Sequence, residues 1–257
     1  MPARGNVLLV PGYTGSKEDF APILGGLTGA GFRAVALDQP GQHESPGPVE
    51  RSAYAVNVLA RVVIEAADQL CSEPVHLLGH SFGGLVCRAA AISAPHRFWS
   101  LVLLASGPSA ITGERLERMR LLEPVFAAGG MPAVLAAMEE LDRQDPRRGP
   151  VPPELRAFLR RRFLASSPNG LQGMADALRG EPDRVAELAA TGVPLMVAHG
   201  EDDDAWPPAT LAEMASRLGA RHEVIAGAGH SPAVDQPART IDILTNFWRD
   251  IEDSRAA

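Results

Sequence analysis

Gly79-His80-Ser81-Phe82-Gly83-Gly84 stands between two segments of different character in this 257-residue chain. Residues 75–78 before it form a short apolar run typical of a buried strand, and residues 85–91 after it have the composition of a helix. A G-x-S-x-G motif at a strand-to-helix junction forces a tight, strained turn that pushes the serine side chain out of the sheet. Glycine on either side lets the two backbones pass closely. The motif therefore predicts that Ser81 is a nucleophile.

Strand patterns and helical periodicity alternate on both sides of this motif. Strands are predicted at residues 6–10, 33–37, 75–78, 100–104, 194–198 and 222–225. Between them apolar residues recur at helical spacing, for example from Tyr54 to Leu70 and from Ile241 to Ile251. This alternation indicates βαβ units. The predicted fold class is α/β, with a mostly parallel, doubly wound sheet covered on both faces.

The alternation stops between about Ser109 and Ala190, where helical segments continue without strand patterns. An insertion at that point covers the carboxyl ends of the strands, which is where ligands bind in parallel sheets. We therefore expect three segments. Residues 1–108 form the first part of the core, residues 109–190 form a helical cap, and residues 191–257 form the second part of the core.

Attack on a carbonyl requires hydrogen-bond donors for the oxyanion that forms. The backbone N–H of Phe82 supplies one donor, at the start of a helix whose dipole favours negative charge. The second is expected from Tyr13, in the loop Pro11-Gly12-Tyr13-Thr14-Gly15-Ser16, because Gly12 lets the backbone turn toward the serine. An ordinary glycine-rich turn between strand and helix is the alternative interpretation of this loop.

A serine hydroxyl is a weak nucleophile at neutral pH, so Ser81 needs a base. His230 is the best of seven histidines because it lies in a loop between the last strand and the last helix. His80 adjoins the nucleophile, but its side chain must leave the elbow in another direction, so a structural or pocket-lining role is expected. His76 is interpreted as a core residue. The remaining histidines are expected in loops or on the surface, namely His43, His96, His199 and His222.

The carboxylate that orients the base should follow the strand at residues 194–198, where the chain reads Glu201-Asp202-Asp203-Asp204. Consecutive acids usually mark a solvated loop, and like charges repel. Burying one acid against a histidine while the others remain in water is the cheaper arrangement. Position favours Asp203, and Asp202 and Asp204 remain fallbacks.

The order of elbow, acid and histidine along the chain resembles that of the α/β-hydrolase superfamily, in its serine-nucleophile, esterase-like branch with a helical cap. The resemblance covers nearly the whole chain and includes the segment Asp38-Gln39-Pro40-Gly41-Gln42-His43-Glu44-Ser45. It implies that the acid is the third residue after Gly200, which is Asp203. Pro11 and His43 depart from the family pattern, which bears on loop shape and substrate. A serine nucleophile disfavours the aspartate-dependent chemistry of related dehalogenases and epoxide hydrolases.

Charge and composition exclude several classes of function. A net charge of −7 and a pI near 5.5 give no basic surface for nucleic acid. The first residues lack the apolar core of a signal peptide, and no uninterrupted apolar run approaches the ~18 residues of a membrane span. Cys71 and Cys87 fit neither a disulfide framework nor a paired metal site. We expect a cytoplasmic protein without a membrane span.

These residues together predict a serine hydrolase that cleaves a carboxylic ester, thioester or lactone through an acyl-enzyme on Ser81, without a cofactor or metal. Substrate contacts are expected from His80, Trp206, Phe126 and Met138, although packing within the cap explains the last two equally well. Two alternatives remain. In the first, the same triad catalyses carbon–carbon bond hydrolysis or elimination, and a cap arginine directed at the serine would support it. A receptor that binds a small molecule with little turnover is the other alternative.

Overall fold

The computed structural model describes residues 4–145 and 149–256. Within that part of the chain, six strands form one sheet in the order β2-β1-β3-β4-β5-β6, and every neighbouring pair is parallel. The strands are β1 (Gly5–Val10), β2 (Phe32–Ala36), β3 (Val75–His80), β4 (Phe98–Leu104), β5 (Leu195–Gly200) and β6 (Arg221–Ile225). The predicted fold class is confirmed, and all six predicted strands are present.

Helices flank the sheet and fill the insertion between β4 and β5. They are α1 (Ala21–Gly29), α2 (Val56–Leu70), α3 (Phe82–Ser93), α4 (Gly113–Gln144), α5 (Pro153–Ala165), α6 (Pro168–Gly180), α7 (Val185–Ala189), α8 (Pro208–Leu218), α9 (Pro232–Asp235) and α10 (Pro237–Ala256). Short 3₁₀ turns at Lys17–Phe20, Arg51–Tyr54 and Pro95–Arg97 complete the described elements.

Both faces of the sheet are covered because its strands are apolar on both sides. Along β1, Leu8 and Val10 pack into a core with α2, α3 and α8, whereas Val7 and Leu9 pack on the opposite face with α1 and α10. Successive side chains of a strand point to opposite faces, so the alternation follows from the pleat. The sheet is thereby a rigid platform, and the loops at its carboxyl edge carry the chemistry.

The helical insertion predicted between β4 and β5 is present and consists of α4, α5, α6 and α7. Helix α4 is broken at Gly130, whose φ of 62° and ψ of −157° are not helical. The exact division at residues 108/109 and 190/191 remains a prediction. We refer below to α4–α7 as the cap.

By length and composition, α4 is one helix in the described residues that could cross a membrane, and most of its apolar window is not buried. Charged residues and prolines divide the apolar residues of α4, so no uninterrupted apolar run marks this helix in the sequence. A kink at Gly130 and two internal prolines, Pro124 and Pro132, interrupt the helix. One such helix is a weak sign of a span, so the absence of a span remains a prediction.

Candidate active site

Ser81 occupies a strained turn between β3 and α3. Its φ of 53° and ψ of −122° lie in a region that non-glycine residues rarely adopt. Glycine is required around it for close backbone approach. A Cβ at Gly79 would lie 2.4 Å from the Gly83 carbonyl oxygen, and one at Gly83 would lie 2.4 Å from that of Val10. The fold therefore maintains the strain and fixes the position of the Ser81 hydroxyl.

Three side chains form a continuous hydrogen-bonded chain at the carboxyl edge of the sheet. His230 Nε2 lies 2.9 Å from Ser81 Oγ, and His230 Nδ1 lies 3.0 Å from Asp203 Oδ1. Ser81 is 7% exposed and Asp203 6% exposed, so the chain is shielded from water. A carboxylate accepts only, so Nδ1 donates to Asp203 and Nε2 is free to accept the serine proton.

Asp203 is the acid that the structure brings to His230. Its Oδ1 also accepts hydrogen bonds from the backbone N–H groups of Ala205 at 2.9 Å and Trp206 at 3.4 Å. Asp202 is exposed. The Asp204 carboxylate lies within 4.8 Å of the ligating atoms of Asp203 and His230 but is paired with Arg115. The loop backbone thus selects one of three consecutive aspartates.

His80 holds the loop that carries His230. Its Nε2 donates to the His230 carbonyl oxygen at 2.7 Å, and the two imidazole rings lie 5.1 Å apart. Burial, followed by the nearby imidazole of His230, lowers the pKa of His80 to about 4. A neutral ring with its proton on Nε2 satisfies this bond. Of the two roles expected for His80, the observed contacts correspond to the structural one.

Trp206 is buried beside Ser81, His230 and Asp203. Its Nε1 donates to the Ser109 carbonyl oxygen at 3.2 Å, and its ring packs so closely on Gly107 that a Cβ there would lie 2.2 Å away. The ring centre lies 6.4 Å from that of His230. The side chain of Trp206 is therefore enclosed beside His230, at 1% exposure, and its contact with substrate remains a prediction.

The loop that carries Tyr13 lies directly against Ser81. A Cβ at Gly12 would lie 3.0 Å from Ser81 Cβ, which places this backbone beside the Ser81 side chain. Phe82 is the first residue of α3, where backbone N–H groups have no partner within the helix. Burial raises the pKa of the Tyr13 phenol well above its ordinary value, so the ring is neutral. The two expected oxyanion donors thus lie on segments adjoining Ser81.

Phe126 and Met138 belong to the apolar interior of the cap. They pack around a cluster of buried cap residues, and Tyr13 packs against the same cluster from the core side. The cluster consists of Met131, Val134, Leu135, Phe163 and Leu171. The cap therefore meets the site through apolar side chains at Tyr13.

Polar contacts tie the cap to the loops that follow β1 and β2. Arg162 of α5 bonds the carboxylate of Asp19 and lies 3.3 Å from Ser16 Oγ. The Ser167 N–H donates to the Gly41 carbonyl at 2.8 Å, and the His43 N–H donates to Ser166 Oγ at 3.1 Å. These contacts fasten the end of α5 and the start of α6 to the loops that follow β1 and β2.

Two other groups of titratable residues do not join this site. His199 was expected in a loop or on the surface, which is wrong: β5 extends through it, and it is buried with Nε2 3.0 Å from His222 Nε2. Glu18, His43 and Glu44 offer metal-ligating atoms within 4.8 Å of one another. Lys17 Nζ lies 2.8 Å from Glu44 and 3.2 Å from Glu18, so an ammonium group already supplies the cation there.

A surface groove of about 800 Å³ lies at the amino edge of the sheet, opposite the triad. Trp99, Arg221 and Arg255 are among its lining residues. It is separated from Ser81 by the length of the strands and takes no part in this site.

Three residues with polar roles around the site were not identified from the sequence. Gln39 and Gln42 hydrogen-bond the loop that carries Tyr13, and Arg88 of α3 bonds both ends of the cap. A signal existed for each. The glutamines flank a Pro-Gly turn beyond β2, and Arg88 is a charged residue in the apolar run Leu85-Val86-Cys87-Arg88-Ala89-Ala90-Ala91.

Comparison with protein families gives a match to the alpha/beta hydrolase fold over residues 5–237. Over 104 residues, the chain is 41% identical to a putative carbamate hydrolase, RutD, of Variovorax paradoxus, covering 40% of this chain and 39% of that protein. It is 31% identical to a pimeloyl-[acyl-carrier protein] methyl ester esterase of Aeromonas hydrophila, covering 84% and 85% of the two chains. It is 26% identical to a putative 2-succinyl-6-hydroxy-2,4-cyclohexadiene-1-carboxylate synthase of Bacillus subtilis, covering 95% and 90%.

Solved structures share the architecture at lower identity. A carboxylesterase of Nitrososphaera gargenis superposes with a TM-score of 0.83 at 22% identity, covering 97% of this chain and 92% of its own. An enol-lactonase of Burkholderia xenovorans superposes with a TM-score of 0.77 at 22% identity, covering 95% and 91%. At these sequence identities the similarity supports a shared fold.

Proposed function

Since this chain belongs to the alpha/beta-hydrolase fold family, we propose that it cleaves a carboxylic ester, thioester or lactone through an acyl-enzyme on Ser81. The observation that carries the proposal is the unbroken contact from Ser81 through His230 to Asp203, at 2.9 and 3.0 Å. Its relatives include a methyl ester esterase and a putative carbamate hydrolase, and both names denote substrates with an acyl group bonded to a heteroatom. Both support acyl transfer as the reaction class.

In the proposed mechanism, Ser81 Oγ attacks the substrate carbonyl while His230 Nε2 takes the hydroxyl proton. His230 then returns that proton to the leaving group, and a water molecule, activated by the same nitrogen, hydrolyses the acyl-enzyme. Asp203 holds the imidazole and stabilises its cation without taking the proton. The N–H groups of Tyr13 and Phe82 stabilise the oxyanion, and each such donor typically contributes about 10²–10³-fold to kcat.

Carbon–carbon bond hydrolysis or elimination by the same triad is the second candidate, and the Bacillus subtilis relative favours it. Substrates with a carboxylate would need a cationic partner in the cap. Of the described cap arginines, Arg118, Arg160 and Arg179 are each paired with acidic side chains, and Arg162 with Asp19. The charge of Arg179 acts on the Tyr13 phenol, but Glu123 and Asp176 already pair with this arginine, and the cap cluster against which Tyr13 packs is apolar. This arrangement suits an uncharged acyl group better.

Labelling with a fluorophosphonate tests the proposal, because this probe modifies a serine only where a base and an oxyanion site activate it. We expect the wild-type protein to be labelled on Ser81 and to hydrolyse short p-nitrophenyl esters. Ser81→Ala should lose labelling and at least about 10⁴-fold in kcat. Ser93→Ala, at the exposed end of the same helix, is the matched control and should keep both.

Labelling or hydrolysis retained by Ser81→Ala would place the nucleophile elsewhere. A folded wild-type protein that is not labelled at all would favour the receptor alternative. A substrate panel then separates the two enzymatic candidates. It compares the cleavage of an ester, thioester and lactone series with that of a vinylogous diketone acid, which is cleaved at a carbon–carbon bond.

A further inference from the structure

Two side-chain amides hold the backbone of the loop that carries Tyr13. Gln39 Nε2 donates to the Pro11 carbonyl oxygen at 2.9 Å, and Gln42 Nε2 donates to the Gly12 carbonyl oxygen at 2.8 Å. Both glutamines are buried, Gln42 being 2% exposed, and both lie on the segment that follows β2. The Gly12 carbonyl oxygen also accepts from the Gly15 N–H at 3.1 Å, so two donors hold it. A buried amide at this distance is a fixed donor, since breaking its bond would leave its own N–H without water.

The bonds from Gln42 and from the Gly15 N–H to the Gly12 carbonyl determine which way the next N–H points. The described peptide bonds are all trans, so the C=O and N–H of the Gly12–Tyr13 peptide point in opposite directions. Because the Gly12 carbonyl faces Gln42, the Tyr13 N–H points away from Gln42. A Cβ at Gly12 would lie 3.0 Å from Ser81 Cβ and 3.2 Å from His80 Nδ1, so the peptide that carries this N–H lies beside Ser81.

From this geometry we infer that Gln42 is a positioning residue, which fixes the Gly12 carbonyl and thereby aims the Tyr13 N–H at the oxyanion of the acyl-transfer reaction. The inference rests on the proposed function. It adds a side chain that touches neither the substrate nor the triad, and acts only through the peptide whose other end stabilises the transition state.

The Gln42 amide is itself held in one orientation. Its Oε1 accepts from the Gln39 N–H at 3.2 Å, so its NH₂ group must face Gly12. The same Nε2 lies 3.8 Å from Met174 Sδ of α6, which places a cap helix over it. Rotation of the amide would therefore lose contacts to the core and to the cap together, and the donor remains directed at Gly12.

Gln39 provides a matched control because it makes the same kind of bond one peptide earlier. The Pro11–Gly12 peptide that it holds ends in the Gly12 N–H, which the mechanism does not use. If the glutamines only packed the loop, removing either amide would have the same effect. If Gln42 aims the oxyanion donor, its removal must cost more in the transition state.

The experiment compares Gln42→Met and Gln39→Met, which keep side-chain length and remove the donor. For Gln42→Met we expect kcat to fall by about 10–100-fold with KM changed less than about 3-fold, a part of what losing an oxyanion donor costs. The affinity for a trifluoromethyl ketone, which forms an oxyanion on the serine, should fall by the same factor as kcat/KM. Gln39→Met should lose less than about 5-fold in kcat. Active sites are counted by fluorophosphonate titration, so that misfolded protein does not enter the rates.

Gln42→Glu gives a second readout in case Gln42→Met folds poorly. An ionised carboxylate repels the Gly12 carbonyl, whereas a protonated one regains an O–H donor to it. The activity of Gln42→Glu relative to wild type should therefore rise as the pH is lowered, which a purely structural role would not produce.

Three results would overturn the role of Gln42: equal losses in Gln42→Met and Gln39→Met, a change confined to KM, or an unchanged affinity for the trifluoromethyl ketone. Failure of the proposed function is a separate outcome. It would appear as a wild-type protein that neither hydrolyses esters nor reacts with the fluorophosphonate, whereas failure of this inference alone leaves an active wild type and equally active variants.

Discussion

Asp203 differs from its acidic neighbours in its surroundings and not in its chemistry. The turn after β5 buries Asp203 and directs two backbone N–H groups and the His230 Nδ1 proton at one carboxylate oxygen. These three hydrogen bonds hold the Asp203 carboxylate against His230, where it can stabilise the imidazolium that forms during proton transfer. The neighbouring acids, Asp202 and Asp204, are exposed, and Asp204 pairs with Arg115.

Replacing Asp203 by Asn should lower kcat by about 10³–10⁴-fold, because an amide can present its NH₂ group to Nδ1 and stabilise the wrong tautomer of His230. Asp202→Asn and Asp204→Asn carry the same change in charge and should each stay within about 3-fold of wild type. Initial rates with a p-nitrophenyl ester measure the difference. A loss in either neighbour as large as that in Asp203→Asn would assign the orienting role to another acid.

Through Arg88, helix α3 is bonded to the segment that enters the cap and to the turn between α6 and α7. This guanidinium is 1% exposed, two turns beyond Ser81, and bonds the Pro108 carbonyl, Glu181 Oε1 at 2.8 Å and the Pro182 carbonyl at 3.2 Å. Pro108 lies where the chain enters the cap, and Glu181 lies between α6 and α7. Burial lowers the pKa of Arg88, and the nearby carboxylate of Glu181 opposes that shift.

Arg88→Met should destabilise the protein by about 3–5 kcal/mol, since it leaves the Glu181 carboxylate buried without its partner. Combining it with Glu181→Gln removes that unpaired charge and should recover part of the loss. Urea unfolding of the two single variants and the double variant gives the coupling free energy. Strictly additive losses would mean that the pair contributes no coupling and that Arg88 acts through packing alone.

At the scale of the whole molecule, the site is assembled from segments distant in sequence and closed by the cap. Neutral His80 sits inside this assembly, where protonation would place a cation beside His230 in a buried region. Its lowered pKa therefore opposes folding in acid. Above pH ~6.5 the imidazole is neutral in both the folded and unfolded states, and its contribution is fully present. As the pH falls from about 6.5 through about 4, the unfolded state binds the proton first, so stability is lost.

The free energy of unfolding should thus fall between pH 6.5 and 4, with at most about 1.4 kcal/mol per pH unit from His80. His80→Gln keeps a donor for the His230 carbonyl but does not titrate, so its slope should be shallower by that amount. Exposed His96 provides the control, and His96→Gln should keep the wild-type slope. Denaturant unfolding across this range measures the slopes, and parallel curves for wild type and His80→Gln would contradict the assignment.

Local signals along the chain are sufficient for the strands, the elbow and the order of Ser81, Asp203 and His230. Strand positions follow from runs of apolar residues, because a strand buried on both faces must be apolar throughout. The elbow follows from the glycines around Ser81, because no other residue permits the backbone approach seen there. Such features depend on residues within a few positions of one another, so they can be recognised from the sequence alone.

Contacts between segments that are distant in sequence could be identified only from the folded structure. The burial of His199 follows from the two extra residues of β5, and Trp206 is enclosed because Gly107, almost a hundred positions earlier, packs on its ring. The amide of Gln42 meets the Gly12 carbonyl only after β2 and β1 pair. Which of three aspartates reaches His230 depends likewise on how a turn is directed in space.

The sequence by itself therefore determined the sheet, the strained serine and the set of residue types that the reaction needs, since propensity and close backbone packing act over short distances. Only the tertiary structure decided how Asp203 is held, which amides hold the oxyanion loop and how the cap is fastened. Hydrogen bonds between side chains and distant backbone groups depend on ångström-scale placement, which pattern along a chain does not encode.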